Sequence, residues 1–476
     1  MKQFAASILF ICINFLFSAS SRGHSIDSVK PNQIRGPLSV FASNPRYFTD
    51  GSGKPIYLTG SHTWTNLVDT DTTDPPEPFD YPKYLIFLQQ HNHNFIRMWA
   101  WDSPQSRQGN RIKYSSPLPW PRTGPGNALD GKLKFDLHQF NRVYFDRLRS
   151  RIVAAREKGI YVSVMLFEGW GLADDEKKHN DSWTWHPFNI RNNINGISAD
   201  TNGDGKGYEF YTQSVPHDVK NIQKAYIRKI VDTVNDLDNV LYEIANEATP
   251  ASVSWQYEMI NYLKRYETTK PKQHSIGMTT PYWNLNNDDL FNSSADWISP
   301  AYLPDENYRD NPPSAVGRKV IILDTDHLWG IGGDRAWVWK SFLRGYNPIY
   351  MDRFDSAYWR KSLWNPEDAR KAMGYTHIYA QKVNLKDMSP HDDLTSTTYC
   401  LANPGSEYLI YKPTRRNPIK LFFTVDLKAG KYRYEWFNPE SGMVVSSGSF
   451  HAADGKKFFT PPFIGDAVLY IYHSEQ

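Results

Sequence analysis

The chain has 476 residues, enough for more than one typical domain and for a large buried core. Its 54 Lys and Arg residues nearly balance its 51 Asp and Glu residues, and the formal net charge is +3. No long run of either charge occurs, so the sequence gives no indication of a nucleic-acid partner or an anionic membrane surface. Aromatic residues make up 15 % of the chain, which suits stacking on sugar rings or a large aromatic core.

The N-terminus predicts export. Lys2 precedes an apolar run that ends at Phe17, and small residues follow it, so residues 1–21 are predicted to be a cleaved signal peptide. The run is too short to span a bilayer comfortably, and no membrane anchor is expected. After cleavage Cys400 is the remaining cysteine, so the core must hold the protein together without an intrachain disulfide. We predict a secreted monomer, either periplasmic or extracellular.

Residues 22–385 alternate between helix and strand patterns. Apolar positions three and four residues apart predict helices that begin near Tyr81, Phe140, Val219 and Val253. The predicted strands are Pro55–Gly60, Phe95–Asp102, Tyr161–Glu168, Val240–Glu247, His274–Thr280, Trp297–Tyr302, Val320–Asp326 and Pro348–Asp352. Eight strands joined by crossovers predict an α/β fold, the (β/α)₈ TIM barrel. A doubly wound open sheet is the main alternative, but no glycine-rich phosphate loop follows the first strand.

The pattern changes after residue 385. Residues 386–396 are polar with one proline and are predicted to be a linker. Residues 397–476 alternate polar and apolar side chains, with Asn-Pro-Gly, Ala-Gly and Glu-Ser-Gly turns between the runs. This pattern predicts a small all-β sandwich domain after the barrel.

The C-terminal ends of the barrel strands are where such a fold forms its active site. Asn246 and Glu247 end the predicted strand four, and Asp324 and Asp326 end strand seven on the facing side of the ring. The other predicted substrate-binding residues are His62, Trp64, Arg97, Trp99, Trp101, Glu168, Trp170, Tyr282, Tyr302, His327 and Trp329. This set predicts a polar cleft walled by aromatic rings.

Paired carboxyl groups of this kind suit glycoside hydrolysis. One group is protonated and assists the leaving oxygen, while the other is ionised and acts as nucleophile or as base for water. Glu247 would donate the proton while the amide of Asn246 holds a sugar hydroxyl. The predicted partner is an oligo- or polysaccharide of plant or microbial origin. The alternative interpretation of Glu247 is a rim carboxylate in a structural ion pair.

Three longer segments of the sequence resemble a known family. They are "NPRYFTDGSGKPIYLTGSHTWTNL", "NHNFIRMWAWD" and "ILDTDHLWGIGGDRAWVWKSFLRGYNPIYMD". With "YEIANE" at strand four, they resemble the apiosidase-like catalytic domains of clan A glycoside hydrolases. The tail "YCLANPGSEYLIYKP…YEWFNPESG" resembles a module described as collagen-binding. The resemblance implies Glu247 as acid/base, Asn246 as the substrate-orienting amide and Arg97 as the cation beside the opposite carboxylate.

Strand seven departs from clan A, which usually has Glu where this chain has Asp324. The shorter side chain would widen the carboxyl separation by roughly an ångström, away from the ~5–5.5 Å of retaining enzymes and toward inverting geometry. Asp326, on the same face two residues on, is the alternative. Asp324 is preferred because it ends the apolar run directly. Glu243 is predicted to be a buried partner of a basic group such as Arg97 rather than a third catalyst.

Metal sites and other function classes compete with this prediction. The "DTDH" segment could bind a metal, but no second His or Cys set stands at ligand spacing. Asp200, Asn202 and Asp204 in "DTNGDG" match the start of a calcium loop, so a structural Ca²⁺ competes there with a solvated turn. The predicted chemistry requires no cofactor. The alternative functions are carbohydrate or protein binding by an inactive barrel, and metal-dependent hydrolysis of protein, for which an HExxH motif is missing.

Overall fold

The computed structural model describes residues 24–25, 33–108, 111–172, 182–282, 286–354, 366–414 and 422–474. The predicted signal peptide lies outside these residues. None of the helices in these ranges has the length and apolar character needed to cross a membrane.

A barrel of eight parallel strands forms the larger part of the fold. The strands are β1 (Gly60–His62), β2 (Phe95–Met98), β3 (Tyr161–Glu168), β4 (Val240–Asn246), β5 (Ile276–Thr279), β6 (Trp297–Ser299), β7 (Val320–Asp324) and β8 (Asn347–Met351). Each strand from β2 to β7 pairs with the next, and β8 pairs with β1. Between β1 and β2 the backbone N–H of Asn94 donates to the Thr59 carbonyl at 3.0 Å. The predicted (β/α)₈ barrel is confirmed.

Helices surround this sheet. They are α1 (Tyr81–Gln90), α2 (Arg142–Glu157), α3 (Ser182–Trp185), α4 (His217–Val234), α5 (Val253–Glu267), α6 (Asp288–Asn292), α7 (Thr325–Leu328), α8 (Arg335–Leu343) and α9 (Pro366–Lys382). Side-chain caps fix where two of them begin: Asp80 accepts the Lys83 backbone N–H at 3.0 Å, and Asn141 accepts that of Val143 at 3.1 Å. The predicted helix starts are confirmed to within two residues.

Alternation along the strands fills the barrel interior in layers. Toward the N-terminal ends of the strands the inward side chains are apolar: Phe95, Tyr161, Leu241, Trp297, Val320, Ile322 and Ile349. A Cβ on Gly277 would lie 2.0 Å from the Trp297 ring, so this close packing requires glycine. Two residues further along β2, β4 and β7, the same face carries Arg97, Glu243 and Asp324.

Strand one differs most from its predicted bounds. The apolar run predicts Pro55–Gly60, whereas β1 covers Gly60–His62 and Ile56 forms an isolated bridge with Phe48. Strand two is shorter than predicted because the Trp99 backbone N–H donates to the Asn66 side chain instead of a neighbouring strand, at 2.7 Å. A side-chain acceptor from the β1 loop therefore ends the ladder early.

Small antiparallel sheets form in the loops after β1 and β2, where the sequence pattern predicts no elements. One contains Asp69–Asp71, Arg111–Ser116 and Gln105–Gln108, and the other contains Arg122–Asn127 and Leu133–Phe135. A further pair, Ser39–Val40 and Phe48–Thr49, precedes the barrel. Short 3₁₀ turns cover Trp170–Leu172, Tyr208–Tyr211, Pro250–Ser252 and Asp392–Leu394.

The C-terminal region consists of antiparallel sheets, as predicted. Its strands are β9 (Ser389–Pro390), β10 (Cys400–Asn403), β11 (Glu407–Lys412), β12 (Phe423–Leu427), β13 (Gly430–Asn438), β14 (Met443–Ala452), β15 (Gly455–Phe459) and β16 (Ala467–His473). The larger sheet has the order β14-β13-β16-β11-β10-β9, with His24–Ser25 paired to β14, and the smaller sheet pairs β12 with β15. Strand β9 lies within the predicted linker, and the predicted domain boundaries themselves stay predictions.

An aromatic interface joins these sheets to the barrel. Trp339 on α8 stacks against Tyr411 on β11, with ring centroids 6.1 Å apart, and Phe437 on β13 packs 5.4 Å from Tyr379 on α9. The Tyr379 hydroxyl donates to the Glu435 carboxylate at 2.8 Å. The C-terminal sheets therefore share an apolar core with two barrel helices.

Candidate functional site

Arg97 is the centre of a buried ion network in the barrel mouth. Its Nε and Nη2 donate to the two oxygens of Glu243 at 2.8 and 2.5 Å, and its Nη1 donates to Asp324 Oδ2 at 2.5 Å. The side chain of Arg97 is 1 % exposed and both carboxylates are fully buried. Burial favours loss of the charge, but Glu243 and Asp324 outweigh it and raise the pKa of Arg97. The predicted Arg97–Glu243 pairing is confirmed.

The Asp324 carboxylate is enclosed by donors. Its Oδ1 accepts from His62 Nε2 and from the Asp326 backbone N–H, both at 2.9 Å, and its Oδ2 accepts from Arg97. His62 is itself fully buried, with its ring stacked 5.9 Å from that of Trp99. Burial acts to raise the pKa of Asp324, but His62 and Arg97 outweigh burial and hold that pKa well below its usual range. Asp324 is therefore an ionised carboxylate whose two oxygens both bind protein groups.

The side chain of Asn246 is held through its oxygen. The amide Oδ1 accepts from Arg97 Nη2 at 2.8 Å and from His327 Nε2 at 3.2 Å, while His327 Nδ1 accepts from the Ser299 hydroxyl at 2.8 Å. Burial and Arg97 lower the pKa of His327 to about 3, so its ring is neutral at pH 7. The amide Nδ2 of Asn246 is buried and has no hydrogen-bond partner among the described residues. Such donors are rare in native proteins, and this one suits a ligand oxygen.

Glu247 follows β4 in a left-handed backbone conformation, with φ of 44°. This conformation costs a non-glycine residue roughly 1–2 kcal/mol and is often found at functional sites. Glu247 is half-buried, and its charge acts on both Asp326 and Glu168. Burial, Glu247 and Asp324 raise the pKa of Asp326 well above its usual range. Asp326 Oδ2 lies 3.7 Å from Arg97 Nη1 and accepts no hydrogen bond within the described ranges.

Gly169 positions the backbone around Glu247. Its N–H donates to the Asn246 carbonyl at 2.7 Å. A Cβ on Gly169 would lie 2.3 Å from the Cα of Ala248. The loop after β3 thus packs directly against the residues that flank Glu247, and a side chain would push the two segments apart.

Another acidic cluster lies at the ends of β2 and β3. Glu168 is 2 % exposed, and its oxygens accept the backbone N–H groups of Trp170 at 2.9 Å and Gly171 at 3.2 Å. Burial and the charge of Asp102 raise the pKa of Glu168 well above its usual range. Burial also raises the pKa of Asp102 to about 7, although the Tyr211 hydroxyl donates to its carboxylate. Tyr211 was not predicted as a site residue because it lies in a long insertion whose sequence shows no apolar periodicity.

The predicted aromatic residues lie at different depths. Trp99 and Trp101 are buried, and the Trp101 indole N–H donates to the Trp64 carbonyl at 2.8 Å. The half-buried members are Trp64, Trp170, Tyr282, Tyr302 and Trp329. Lys113, from the sheet after β2, lies 6.0 Å from the Trp64 ring centroid. Their contact with a sugar stays a prediction.

The predicted calcium loop is closed by hydrogen bonds within itself. The two oxygens of Asp200 accept the N–H groups of Gly203 and Gly205 at 2.8 and 2.9 Å, and Asn202 Oδ1 accepts that of Asp204 at 2.8 Å. Among the described residues no group of three or more His, Cys, Asp or Glu side chains is arranged to hold a metal ion. The calcium site stays a prediction.

Solved structures with a similar fold are glycoside hydrolases. One described as a glycoside hydrolase has a TM-score of 0.58 at 14 % identity, covering 94 % of this chain and 99 % of that chain. A family 5 glycoside hydrolase from Bacteroides vulgatus has a TM-score of 0.57 at 13 % identity, covering 94 % and 96 %. A second Bacteroides vulgatus structure, with a provisional glycoside hydrolase designation, has a TM-score of 0.61 at 13 % identity, covering 92 % and 83 %. These similarities show the fold: a TIM-like barrel with antiparallel sheets after it.

In sequence comparisons one family model matches part of the chain. Residues 113–284 match the model of the domain of unknown function DUF6298. The match contains Glu168, Asn246 and Glu247 and ends before the acids of strand seven. Among curated proteins nothing matches the chain. The resemblances to apiosidase-like domains and to a collagen-binding module stay predictions.

Proposed function

We propose that this protein is a glycoside hydrolase in which Glu247 donates a proton to the leaving oxygen and Asp326 is the carboxylate that acts opposite it. The observation that carries the proposal is the electrostatic effect of Glu247 on Asp326 beside an unpartnered amide. The charge of Glu247 raises the pKa of Asp326, and the Asn246 Nδ2 group has no partner among the described residues.

Asp326 is a better second carboxylate than Asp324. A nucleophile or base needs an oxygen that can reach the sugar or a water. Both oxygens of Asp324 are bound to protein donors and its side chain is fully buried, whereas Asp326 is 8 % exposed and its Oδ2, although buried, accepts no hydrogen bond from the described residues and can take a ligand donor. In this proposal Asp324 is the fixed anion that orients Arg97 and His62.

The protonation states follow from the like charges. Two interacting carboxyl groups lose their protons in succession, and between the two pKa values they carry one proton together. Arg97, 3.7 Å from Asp326, favours the charge on Asp326, but burial and the charges of Glu247 and Asp324 outweigh it and raise the pKa of Asp326, so in the free protein the shared proton lies on Asp326 and has to pass to Glu247 for the cleavage proposed here. The singly protonated pair supplies an acid and a carboxylate at once, which is what glycoside cleavage needs.

The remaining polar groups serve orientation. Arg97 and His327 hold the oxygen of Asn246, which leaves the amide N–H groups to donate to a sugar hydroxyl. A hydroxyl bound there would replace the missing partner of a buried donor. The Nε, Nη1 and Nη2 atoms of Arg97 and both oxygens of Glu168 already bind protein groups, and His62 Nε2 binds a carboxylate, so these side chains would act by holding other groups rather than by touching the sugar.

Glu247→Gln and Asp326→Asn test the proposal on the full chain, with Asp324→Asn as the comparison. A panel of neutral and pectic glycans, including apiose-bearing ones, tests the apiosidase-like resemblance. We expect each of the first two changes to lower turnover by about 10²–10⁴-fold without changing the circular dichroism spectrum. Near-normal turnover by Glu247→Gln would contradict the proposal. NMR of the first anomer released distinguishes retention from inversion.

Secretion belongs to the same proposal. Its support is the sequence of residues 1–21, and N-terminal sequencing of the exported protein would test cleavage there. A wild-type chain that binds glycans of the panel but cleaves none would favour the alternative, a non-catalytic binding protein.

A further inference from the structure

A cavity lies among the loops that follow β1 and β2. Its volume is about 270 Å³, close to the lower end for small-molecule sites. Its wall includes four prolines and the side chains of Asp74, Tyr114, Trp120, Arg122, Lys132 and Phe135. None of them belongs to the Arg97 network. Because these loops extend from the C-terminal ends of their strands, the cavity lies on the same side of the barrel as Glu247.

The lining combines flat apolar faces with polar groups. Tyr114, Trp120 and Phe135 supply aromatic surface, and Tyr114 is half-buried, so part of its ring remains accessible. The indole N–H of Trp120 is buried without a hydrogen-bond partner in the described part of the chain. Prolines on two sides fix the backbone φ angles and stiffen the walls. Stacking faces beside directional polar groups suit a sugar ring.

The charges of the cavity are already paired. Lys132 Nζ lies 2.5 Å from Asp74 Oδ1, and Arg122 forms an ion pair with Asp130. The Arg122 guanidinium also lies 4.0 Å from the Phe135 ring centroid. An acidic sugar would have to compete with these carboxylates, whereas a neutral sugar can hydrogen-bond to the paired groups through its hydroxyls.

We infer that this cavity is a second glycosyl-binding subsite, which takes a neutral sugar unit of the same glycan that is cleaved at Glu247. The cleavage part rests on the proposed function, but binding at the cavity does not. A glycan that fills both sites has to be an oligosaccharide or a polysaccharide rather than a simple glycoside.

The test is isothermal titration calorimetry of the full chain with di- and pentasaccharides of β-1,4-glucan, β-1,4-mannan, β-1,4-xylan and α-1,5-arabinan. The wild type should bind at least one pentasaccharide more tightly than its disaccharide. Tyr114→Ala should lower the affinity for that pentasaccharide about tenfold, because a stacking face is lost. Its affinity for the disaccharide should be unchanged. Lys132→Met should lower the affinity for the same pentasaccharide severalfold. Because the Lys132 side chain is partly exposed, the change should leave the fold intact.

Two variants serve as matched controls. Tyr114→Phe keeps the ring and should bind like the wild type, and Phe458→Ala removes an exposed aromatic ring from the C-terminal sheets, where no effect is expected. Equal affinity for short and long sugars, or a length preference that survives both Tyr114→Ala and Lys132→Met, would overturn the inference, as would a failure to bind any pentasaccharide. Length-dependent binding through Tyr114 without any hydrolysis would support the subsite and contradict the proposed function. Hydrolysis of a glycan, together with unchanged pentasaccharide binding by Tyr114→Ala and Lys132→Met, would support the proposed function and contradict the subsite.

Discussion

The barrel mouth and the barrel–sheet interface are buried to the same degree by different chemistry. In the mouth, Arg97 is 1 % exposed and bound to the carboxylates of Glu243 and Asp324. In the interface, Trp339 is fully buried among the rings of Tyr411, Phe437 and Tyr379. A buried ion network is worth little net stability but is costly to break, because each partner left behind is a desolvated charge. An aromatic cluster loses stability in proportion to the contacts removed.

Arg97→Met should show the largest combined effect on stability and turnover, because it leaves Glu243 and Asp324 as buried carboxylates without their cation. We expect the free energy of unfolding at pH 7 to fall by about 3–5 kcal/mol, measured by urea denaturation. The double variant Arg97→Met/Glu243→Gln should recover part of this loss, since one orphaned charge is removed. A loss below 1 kcal/mol in the single variant would show that water reaches the network.

Asp102→Asn should raise the free energy of unfolding instead of lowering it, and only at high pH. The pKa of Asp102 is raised to about 7, so between pH 4 and 7 the folded state binds more protons than the unfolded state and the wild type loses stability as pH rises. The amide keeps an acceptor for Tyr211 but carries no charge. At pH 8 the variant should be more stable by up to about 4 kcal/mol, from roughly three pKa units.

Equal unfolding free energies of wild type and Asp102→Asn are expected at pH 4, because the Asp102 carboxyl is then protonated in the folded protein. Urea denaturation at pH 4, 6 and 8 measures the difference. A gap that does not widen with pH would contradict the raised pKa of Asp102.

Trp339→Phe should show the smallest effect, below about 1.5 kcal/mol. The smaller ring loses contacts, but the indole N–H, which has no hydrogen-bond partner within the described residues, is removed as well. Trp339→Ala should cost about 3–5 kcal/mol in thermal or urea unfolding, because it leaves a cavity. Neither change should alter turnover well below the unfolding transition, whereas Arg97→Met should abolish it.

The charged layer of the barrel could be predicted from the sequence at particular positions. Two-residue alternation along β2 and β4 places Arg97 and Glu243 inside the barrel, and their pairing is confirmed. The same alternation does not predict side-chain direction beyond the end of a strand. The chain turns into α7 directly after Asp324, and Asp324 accepts the backbone N–H of Asp326. The two acids of strand seven therefore have different surroundings, which spacing alone does not distinguish.

Contacts from long loops could not be predicted. Tyr211 reaches Asp102 from a 3₁₀ turn in the insertion after β3, and the cavity around Tyr114 forms from loops that follow separate strands. Their positions depend on where the loop ends are held, and no local periodicity encodes that.

By itself the sequence determined the alternation of helices and strands, the C-terminal sheets, and the presence of acids and amides at the ends of β4 and β7. Those features follow from local periodicity, which each segment carries on its own. Only the tertiary structure decided which carboxylate is enclosed by donors, which one has its pKa raised by the charge of Glu247, and which other groups acquire shifted pKa values. These properties depend on burial and on charges from distant segments, and they arise when the barrel closes around them.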